Sequence, residues 1–256
     1  MLDAIFPRAS RYDTAWAEAH SLGENVLHFA ESLGNVLPLQ PGQRVLDLGC
    51  GHALSSIFLA REFGVTVWAV DRGVDPTANY ERAAAMDCAD RVFPLRADVR
   101  ALPLPHGYFD AAVALDSYFY FGTDERFLLI LARYLKPGAY LGVVDACMAR
   151  EIASADELPP AARAAWQLDW WGVHTIAWWC RHLEKTGLVR VLRAELLPES
   201  DIIKQQYVAR YRDDPAEASF IALMEAEDGQ LVGHFRLVAQ RTARPVQLED
   251  DADCPY

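Results

Sequence analysis

Hydrophobic and polar residues change their spacing several times along this 256-residue chain. Apolar residues recur at three- and four-residue steps over 24–37, which predicts an amphipathic helix that ends at the turn 38–42. From residue 44 onward, short apolar runs alternate with longer helical stretches. The runs that predict buried strands lie at 44–48, 66–70, 91–95, 109–115 and 139–144. Such an alternation predicts an α/β fold, with a parallel sheet covered by helices on both faces.

The regular alternation of predicted strands and helices ends after residue 145. Residues 150–172 predict an irregular insert rich in tryptophan, and 199–227 predict a helical insert. A helix is expected at 175–186, with strands at 188–196 and 231–241, and this order predicts an antiparallel edge pair with a helical lid between its strands. We expect a single domain over 1–241, with an N-terminal helical lid at about 1–40 and an acidic tail at 242–256.

Composition narrows the class of protein. Hydrophobic residues make up 52% of the chain and its formal net charge is −12, which disfavours a nucleic-acid partner. No apolar run is long enough for a transmembrane helix, and residues 1–11 lack the features of a secretory signal, so no membrane partner is expected. Scattered cysteines indicate free thiols and a cytoplasmic protein. The spacing of His174, Cys180 and His182 matches no zinc site, so no metal is expected.

The strongest candidate for chemistry is the turn Gly49-Cys50-Gly51, which follows the first strand and opens a helix. Glycines there allow a ligand to approach the backbone closely. Asp71 ends the next strand, 20 residues after Gly51, at a spacing that lets its carboxylate accept hydrogen bonds from ribose hydroxyls. A dinucleotide site would need a third glycine where Leu54 stands. The alternative is a plain tight turn beside a solvated strand end.

Several ordered motifs over about residues 40–145 resemble class I S-adenosylmethionine (SAM)-dependent methyltransferases. Asp47, Gly49 and Gly51 fill the acidic-x-Gly-x-Gly signature, with Ala53 where that family usually has a further glycine. Residues 97–105, followed by Phe109 and Asp110, resemble the adenine-binding segment, and 135–138 resemble the approach to strand five. These motifs are most similar to those of the small-molecule branch that includes ubiquinone-type and cyclopropane-synthase-like enzymes.

This resemblance implies a Rossmann-like, seven-stranded, mostly parallel sheet with one antiparallel strand. It also implies SAM as cofactor and S-adenosylhomocysteine (SAH) as product. The glycine turn would hold the methionine part, Asp71 the ribose, Asp98 the adenine amino group and Val99 the ring. The predicted cofactor-binding residues are Asp47, Gly49, Cys50, Gly51, Asp71, Arg72, Asp98, Val99, Leu115 and Asp116. As alternatives, Asp47 would cap the next helix and Cys50 would fill the turn.

The acceptor side is harder to predict, because methyl transfer mainly needs alignment and exclusion of water. Asp116 would face either the methionine amino group or the acceptor. The predicted catalytic residues are His174, Tyr12 and Tyr120, and the predicted substrate-binding residues are Tyr118, Trp170, Trp171, Tyr207, Arg210 and Tyr211. Structural alternatives stand beside three of these predictions: a hydrogen-bonded structural His174, a packing anchor at Tyr12, and a core-facing stripe at 207–211.

Three functions remain open. The first is methyl transfer from SAM to an O, N or S atom of a small-molecule acceptor. The second is carbon methylation or cyclopropane formation on lipid, which the acidic charge and the lack of a basic amphipathic helix disfavour. The third is SAM binding without catalysis, as a regulatory protein. The oligomeric state is not predicted.

Overall fold

The computed structural model describes residues 2–246. The predicted acidic tail therefore falls, from residue 247 onward, outside the described residues, and Cys254 lies there too. No helix among residues 2–246 is long and apolar enough to cross a membrane.

The strands match the sequence pattern closely. In chain order they are β1 (Arg44–Leu48), β2 (Thr66–Asp71), β3 (Val92–Arg96), β4 (Phe109–Leu115), β5 (Leu135–Met148), β6 (Val189–Leu196) and β7 (Val232–Arg241). The largest difference is β5, which continues beyond the predicted residue 144 to Met148. The extension is explained by its partner, because β7 pairs with β5 in antiparallel register up to Met148 opposite Val232.

Helices fill the intervals between the strands. They are α1 (Leu2–Ile5), α2 (Thr14–His20), α3 (Val26–Gly34), α4 (Leu54–Phe63), α5 (Pro76–Ala85), α6 (Phe127–Tyr134), α7 (Pro160–Ala165), α8 (Ile176–Glu184), α9 (Ser200–Tyr211) and α10 (Ala218–Met224). Short 3₁₀ turns include Tyr118–Tyr120 and Leu168–Gly172. The insert at 150–172 is thus partly helical, because α7 lies within it.

The described strands form one seven-stranded sheet in the order β3-β2-β1-β4-β5-β7-β6. The first five pair in parallel, while β7 runs antiparallel to both β5 and β6. This confirms the predicted fold class, including the antiparallel pair at one edge. The order reverses beside β1, and in open parallel sheets such a reversal leaves a crevice at the carboxyl ends of the strands.

The pleat of β1 sorts its side chains onto two cores. Val45 joins the core that contains Leu33 of α3 and Ile57 of α4. Leu46 joins the opposite core, with Leu131 of α6 and Trp179 of α8. Because successive strand residues point to opposite faces, an apolar strand of this kind requires helices on both sides of the sheet.

Candidate active site

A cavity of about 440 Å³ lies at the carboxyl ends of β1, β2 and β4. That volume falls in the roughly 300–1,000 Å³ range of small-molecule sites. Nine of the ten predicted cofactor-binding residues line it, together with Tyr120. They are Gly49, Cys50, Gly51, Asp71, Arg72, Asp98, Val99, Leu115 and Asp116.

The glycine turn after β1 needs its glycines for backbone geometry. Gly49 and Gly51 have φ values of 72° and 51°, in the left-handed region. A Cβ at Gly49 would lie 2.8 Å from Cβ of Ser117. Ala53 also adopts the left-handed conformation, at φ 62°, where a glycine would avoid a cost of about 1–2 kcal/mol. Ala53 therefore differs from the family signature in residue type, while the backbone of the turn has the same left-handed conformation that a glycine would allow.

Asp71 is held in place by backbone amides. Its Oδ2 accepts a hydrogen bond from the Gly51 amide at 3.0 Å, and its Oδ1 accepts from the amides of Gly73 at 2.7 Å and Val74 at 3.1 Å. Amide donors stabilise the charged form of a carboxylate. The end of β2 thus presents a fixed negative charge to the cavity.

The segment after β3 supplies an acidic and an apolar wall. Oδ1 of Asp98 accepts a hydrogen bond from the Arg100 amide at 2.8 Å, and the Arg100 guanidinium lies 3.5 Å from the same oxygen. Val99 is buried against the cavity. An acidic side chain beside an apolar one suits an aromatic base that carries an amino group.

Asp47 is the one predicted cofactor residue that does not line the cavity. Its side chain is buried, and its Oδ2 accepts hydrogen bonds from the Ser55 and Ser56 hydroxyls at 2.6 Å each. Burial raises the pKa of Asp47 to about 6. The strand pleat turns this carboxyl toward α4, so its contacts join β1 to α4. The donors are side-chain hydroxyls, so the alternative of a cap through backbone amides does not describe it either.

Cys50 lines the cavity and is also buried. Burial raises the pKa of its thiol well above the usual range, so it remains a neutral thiol. This fits the alternative interpretation, in which Cys50 fills the turn.

Two carboxyl groups, the buried Glu24 and the half-buried Asp116, meet at the far end of the cavity. Asp116, just after β4, has a left-handed φ of 56° and is hydrogen-bonded to Glu24, which lies between α2 and α3. Both side chains line the cavity. Burial raises the pKa of Glu24 to about 7, and burial together with the Glu24 charge raises the pKa of Asp116 well above its usual range. Both carboxyl groups therefore hold a proton more readily than exposed ones.

His234 of β7 lies behind Glu24. The Ser200 hydroxyl oxygen accepts the His234 backbone N–H at 2.9 Å and lies 3.2 Å from Nδ1 of the ring. Nε2 of the ring lies 3.0 Å from Oε1 of Glu24 and donates to it when Glu24 is ionised, because a carboxylate can only accept. Burial lowers the pKa of His234 to about 4, so the imidazole is neutral at physiological pH. Ser200, His234 and Glu24 form a relay that ends in the cavity.

The protein family follows from the segment that builds the cavity. Residues 45–138, which contain the glycine turn, Asp71, Asp98 and Asp116, match the model of a family described as a methyltransferase domain. The segment 45–138 is therefore similar to a methyltransferase domain. This confirms the family resemblance drawn from the sequence motifs.

Curated relatives share mainly this methyltransferase domain. The 27-O-demethylrifamycin SV methyltransferase of Amycolatopsis mediterranei (strain S699) is 34% identical over 131 residues, which is 50% of this chain and 47% of the relative. Phosphoethanolamine N-methyltransferase 1 of Arabidopsis thaliana is 24% identical over 226 residues, which is 88% of this chain and 43% of the relative. This chain thus spans about half the length of the curated relatives it matches.

Solved structures share the fold. The geranyl diphosphate C-methyltransferase of Streptomyces coelicolor A3(2), crystallised with Mg²⁺, geranyl diphosphate and SAH, has a TM-score of 0.65 and 18% identity. The match covers 84% of this chain and 78% of that one. The names of the three similar proteins specify different acceptors, so the likeness does not determine the acceptor atom of this methyltransferase domain.

Tyr120 is the one predicted catalytic residue that lines the cavity. Burial, followed by the charges of Asp116 and Asp169, raises the pKa of its phenol to about 12. It is therefore a neutral hydroxyl.

Tyr118 does not reach the cavity of the methyltransferase domain. It is 1% exposed, and its ring packs 5.4 Å from Trp179 and 5.5 Å from Phe121. The 3₁₀ turn Tyr118–Tyr120 separates neighbouring side chains, so Tyr118 enters the core while Tyr120 faces the cavity. Phe121 also lines the cavity, although it is buried in the core beside α6.

The tryptophan cluster packs mostly against protein. Trp170 stacks 5.0 Å from Phe220 of α10, and Trp171 lies edge-on to Trp166 and is 41% exposed. Neither lines the cavity, whereas the adjacent Asp169 does. The insert therefore reaches the cavity through a carboxylate.

His174 lies away from the cavity. Its Nδ1 is 2.8 Å from Oε2 of Glu151, and its ring stacks on Trp178 with centroids 3.7 Å apart. These contacts favour the structural alternative for His174, since a general base must reach the acceptor.

Tyr12 and the 207–211 stripe also lie outside the cavity lining. Tyr12 packs 5.6 Å from Phe58 of α4, and its hydroxyl donates to Glu62, which favours the anchor alternative. On α9, Tyr207 donates to Glu217, Arg210 donates to the carbonyl of Glu18, and Tyr211 donates to the carbonyl of Gly23 at 3.5 Å. Helix α9 thus contacts the N-terminal segment that covers the cavity.

Several lining residues were not predicted. Leu22 and Glu24 come from the loop between α2 and α3, and a Cβ at Gly51 would lie 3.2 Å from Cδ1 of Leu22. This loop therefore lies over the glycine turn. A glutamate at the start of an apolar helix resembles an ordinary helix end, so only its partner, His234, 210 residues away, marks it as special.

Proposed function

We propose that this protein is a SAM-dependent methyltransferase that transfers a methyl group to an O, N or S atom of a small-molecule acceptor. The observation that carries the proposal is the cavity at the reversal of strand order, where Asp71 is fixed against the glycine turn. A nucleoside needs this combination of a carboxylate for its hydroxyls and a turn that brings backbone close. The match of residues 45–138 to the methyltransferase family supports it.

The residues present fit SAM. Gly49 and Gly51 add no side chains to the turn. Asp71 offers a fixed acceptor for ribose hydroxyls, and Asp98 with Val99 offers a place for adenine. Bound there, SAM would supply an electrophilic methyl group. When the methyl group is transferred, the electron pair of the carbon–sulfur bond would stay on sulfur. The chain's own task is to hold the acceptor in line and to exclude water.

Isothermal titration calorimetry tests the cofactor. SAM and SAH should bind, and NADH should not. Tight NADH binding without SAM binding would overturn the assignment. Transfer of radiolabelled methyl from SAM across metabolite classes, with SAH formation as a second readout, then tests the reaction.

The same screen separates the other functions considered from sequence. Label in an unsaturated lipid would indicate carbon chemistry, and SAM binding without transfer to any class would indicate a regulatory protein. We also propose that the protein is cytoplasmic, because its scattered cysteines are expected to be free thiols. We propose that it binds neither nucleic acid nor membranes, because its formal net charge is −12.

A further inference from the structure

The cavity has two chemically different ends. Asp71 is the last residue of β2, and Asp98 follows β3. Arg72 comes directly after Asp71, and Arg100 comes two residues after Asp98. Glu24 and Asp116 lie on the other side of β1, toward β4 and β7. Adjacent strands are about 4.8 Å apart, so the two ends are separated by the width of several strands. The nucleoside belongs at the first end, which leaves the second for the methionine part and the acceptor.

Charge is unbalanced at the second end. Among the residues that the structure describes, five carboxyl side chains and two guanidinium groups line the cavity, and both arginines follow first-end carboxylates in sequence. The Arg100 guanidinium is shared between Asp98, at 3.5 Å, and the backbone carbonyl of Tyr120, at 3.4 Å. The cations of α9 are engaged elsewhere. Lys204 donates to the carbonyls of Gly229 and Val232, and Arg210 donates to the carbonyl of Glu18. A cationic ligand would therefore balance the charge at this end.

The relay gives Glu24 a defined role. An ionised Glu24 can only accept hydrogen bonds, and on its protein side Nε2 of His234 lies 3.0 Å from its Oε1. Asp116 is its second hydrogen-bond partner. The other titratable groups that act on the pair are Asp145 of β5, Glu217 before α10, Tyr120, Tyr207 and Tyr211.

We propose that the acceptor is a protonated amine, and that Glu24, positioned by His234 and Ser200, binds its ammonium group and takes a proton from it. In that step one N–H bond breaks, its electron pair stays on nitrogen, and the proton forms an O–H bond with the Glu24 carboxylate. The amine then has the lone pair that a nucleophile needs. This inference rests on the proposed methyltransferase function and assigns its acceptor class.

The basicity of Glu24 suits this task. Its pKa of about 7 is close to physiological pH, where a general base works best. The ring of Tyr120 lies at the same end and provides an aromatic surface on which an ammonium group is favoured.

The experiment compares matched probes on the SAH-saturated protein. Ethylamine and 2-phenylethylamine are titrated against ethanol and 2-phenylethanol, and each compound is also offered as a methyl acceptor with labelled SAM. We expect the amines to be preferred by about tenfold or more, because a buried carboxylate discriminates strongly for a cation. Affinity for the amines should rise as pH increases from 6 to 8, since Glu24 loses its proton over that range while the amines stay charged.

Variants assign the effect to Glu24. Glu24→Gln should abolish both the amine preference and its pH dependence while SAH affinity stays unchanged. His234→Phe removes a donor to the carboxylate and should move the pH midpoint upward, which a purely structural role would not do. Glu125→Gln, an exposed carboxyl on another surface, controls for net charge. If Glu24→Gln does not fold, Asp116→Asn takes its place.

Three outcomes would overturn the inference. The wild type could fail to prefer amines, Glu24→Gln could keep the preference, or Glu24→Gln could lose SAH affinity. The last result would assign the pair to the methionine amino group instead. A protein that binds neither SAM nor SAH would refute the proposed function itself, so the two failures are distinguishable.

Discussion

The two ends of the cavity use carboxyl groups in opposite ways. At the first end, three backbone amides surround Asp71, which makes it a fixed charge. At the second end, burial raises the pKa values of Glu24 and Asp116, so this pair exchanges protons near neutral pH. The difference shows how one cavity can combine a rigid binding surface with a reactive one.

The largest expected effect concerns the aromatic residues beyond the second end. Trp179 is 1% exposed and packs near Tyr118 and Phe235. Trp179→Ala should reduce the free energy of unfolding by about 3–5 kcal/mol, because it leaves a large cavity in the core. Denaturant unfolding measures this. The half-exposed Trp171→Ala is the control and should cost much less. Equal effects would show that this cluster is not divided into core and surface.

The second prediction tests the reactive end without any ligand. Glu24 has an ordinary pKa of 4.5 and a folded pKa of about 7, so its contribution to stability is complete below 4.5 and is lost as pH rises through 7. Relative to wild type, Glu24→Gln should therefore gain stability over this window, by up to about 3 kcal/mol. Thermal unfolding from pH 4.5 to 8 measures the difference. Glu125→Gln should show no comparable rise, and a flat Glu24→Gln difference would contradict the raised pKa.

The third prediction tests the fixed end. Asp71→Ala should weaken SAM binding by about 1–3 kcal/mol through lost hydroxyl contacts. Calorimetry measures the affinity, and Asp90→Asn, an exposed carboxyl before β3, serves as the matched control. Unchanged affinity in a folded Asp71→Ala protein would remove Asp71 from the nucleoside site.

The smallest expected effect concerns His174. Because it contacts Glu151 and Trp178 and does not line the cavity, His174→Ala should change methyl-transfer turnover by no more than about twofold, the scale of an ordinary surface substitution. Turnover with the acceptor found in the label screen measures this. A hundredfold loss would restore the catalytic role considered from sequence.

Local signals explain why the first end could be predicted. The predicted bounds of β1 and β4 agree with the structure, because a short apolar run between two turns is determined by residues that are close together in sequence. Asp71 follows from its strand, and of the predicted cofactor-binding residues only Asp47, whose direction depends on the pleat, lies outside the cavity lining. Tyr118 and Tyr120 show the same limit, because a 3₁₀ turn sends one inward and the other to the cavity.

The sequence by itself determined the order of strands and helices, the methyltransferase family and most of the nucleoside side, because all of these depend on residues close together in the chain. Only the tertiary structure decided the second end. Glu24 and His234 are 210 residues apart, and they meet because β7 inserts antiparallel between β5 and β6. Their proton affinity depends mainly on burial, which does not exist before the chain is folded.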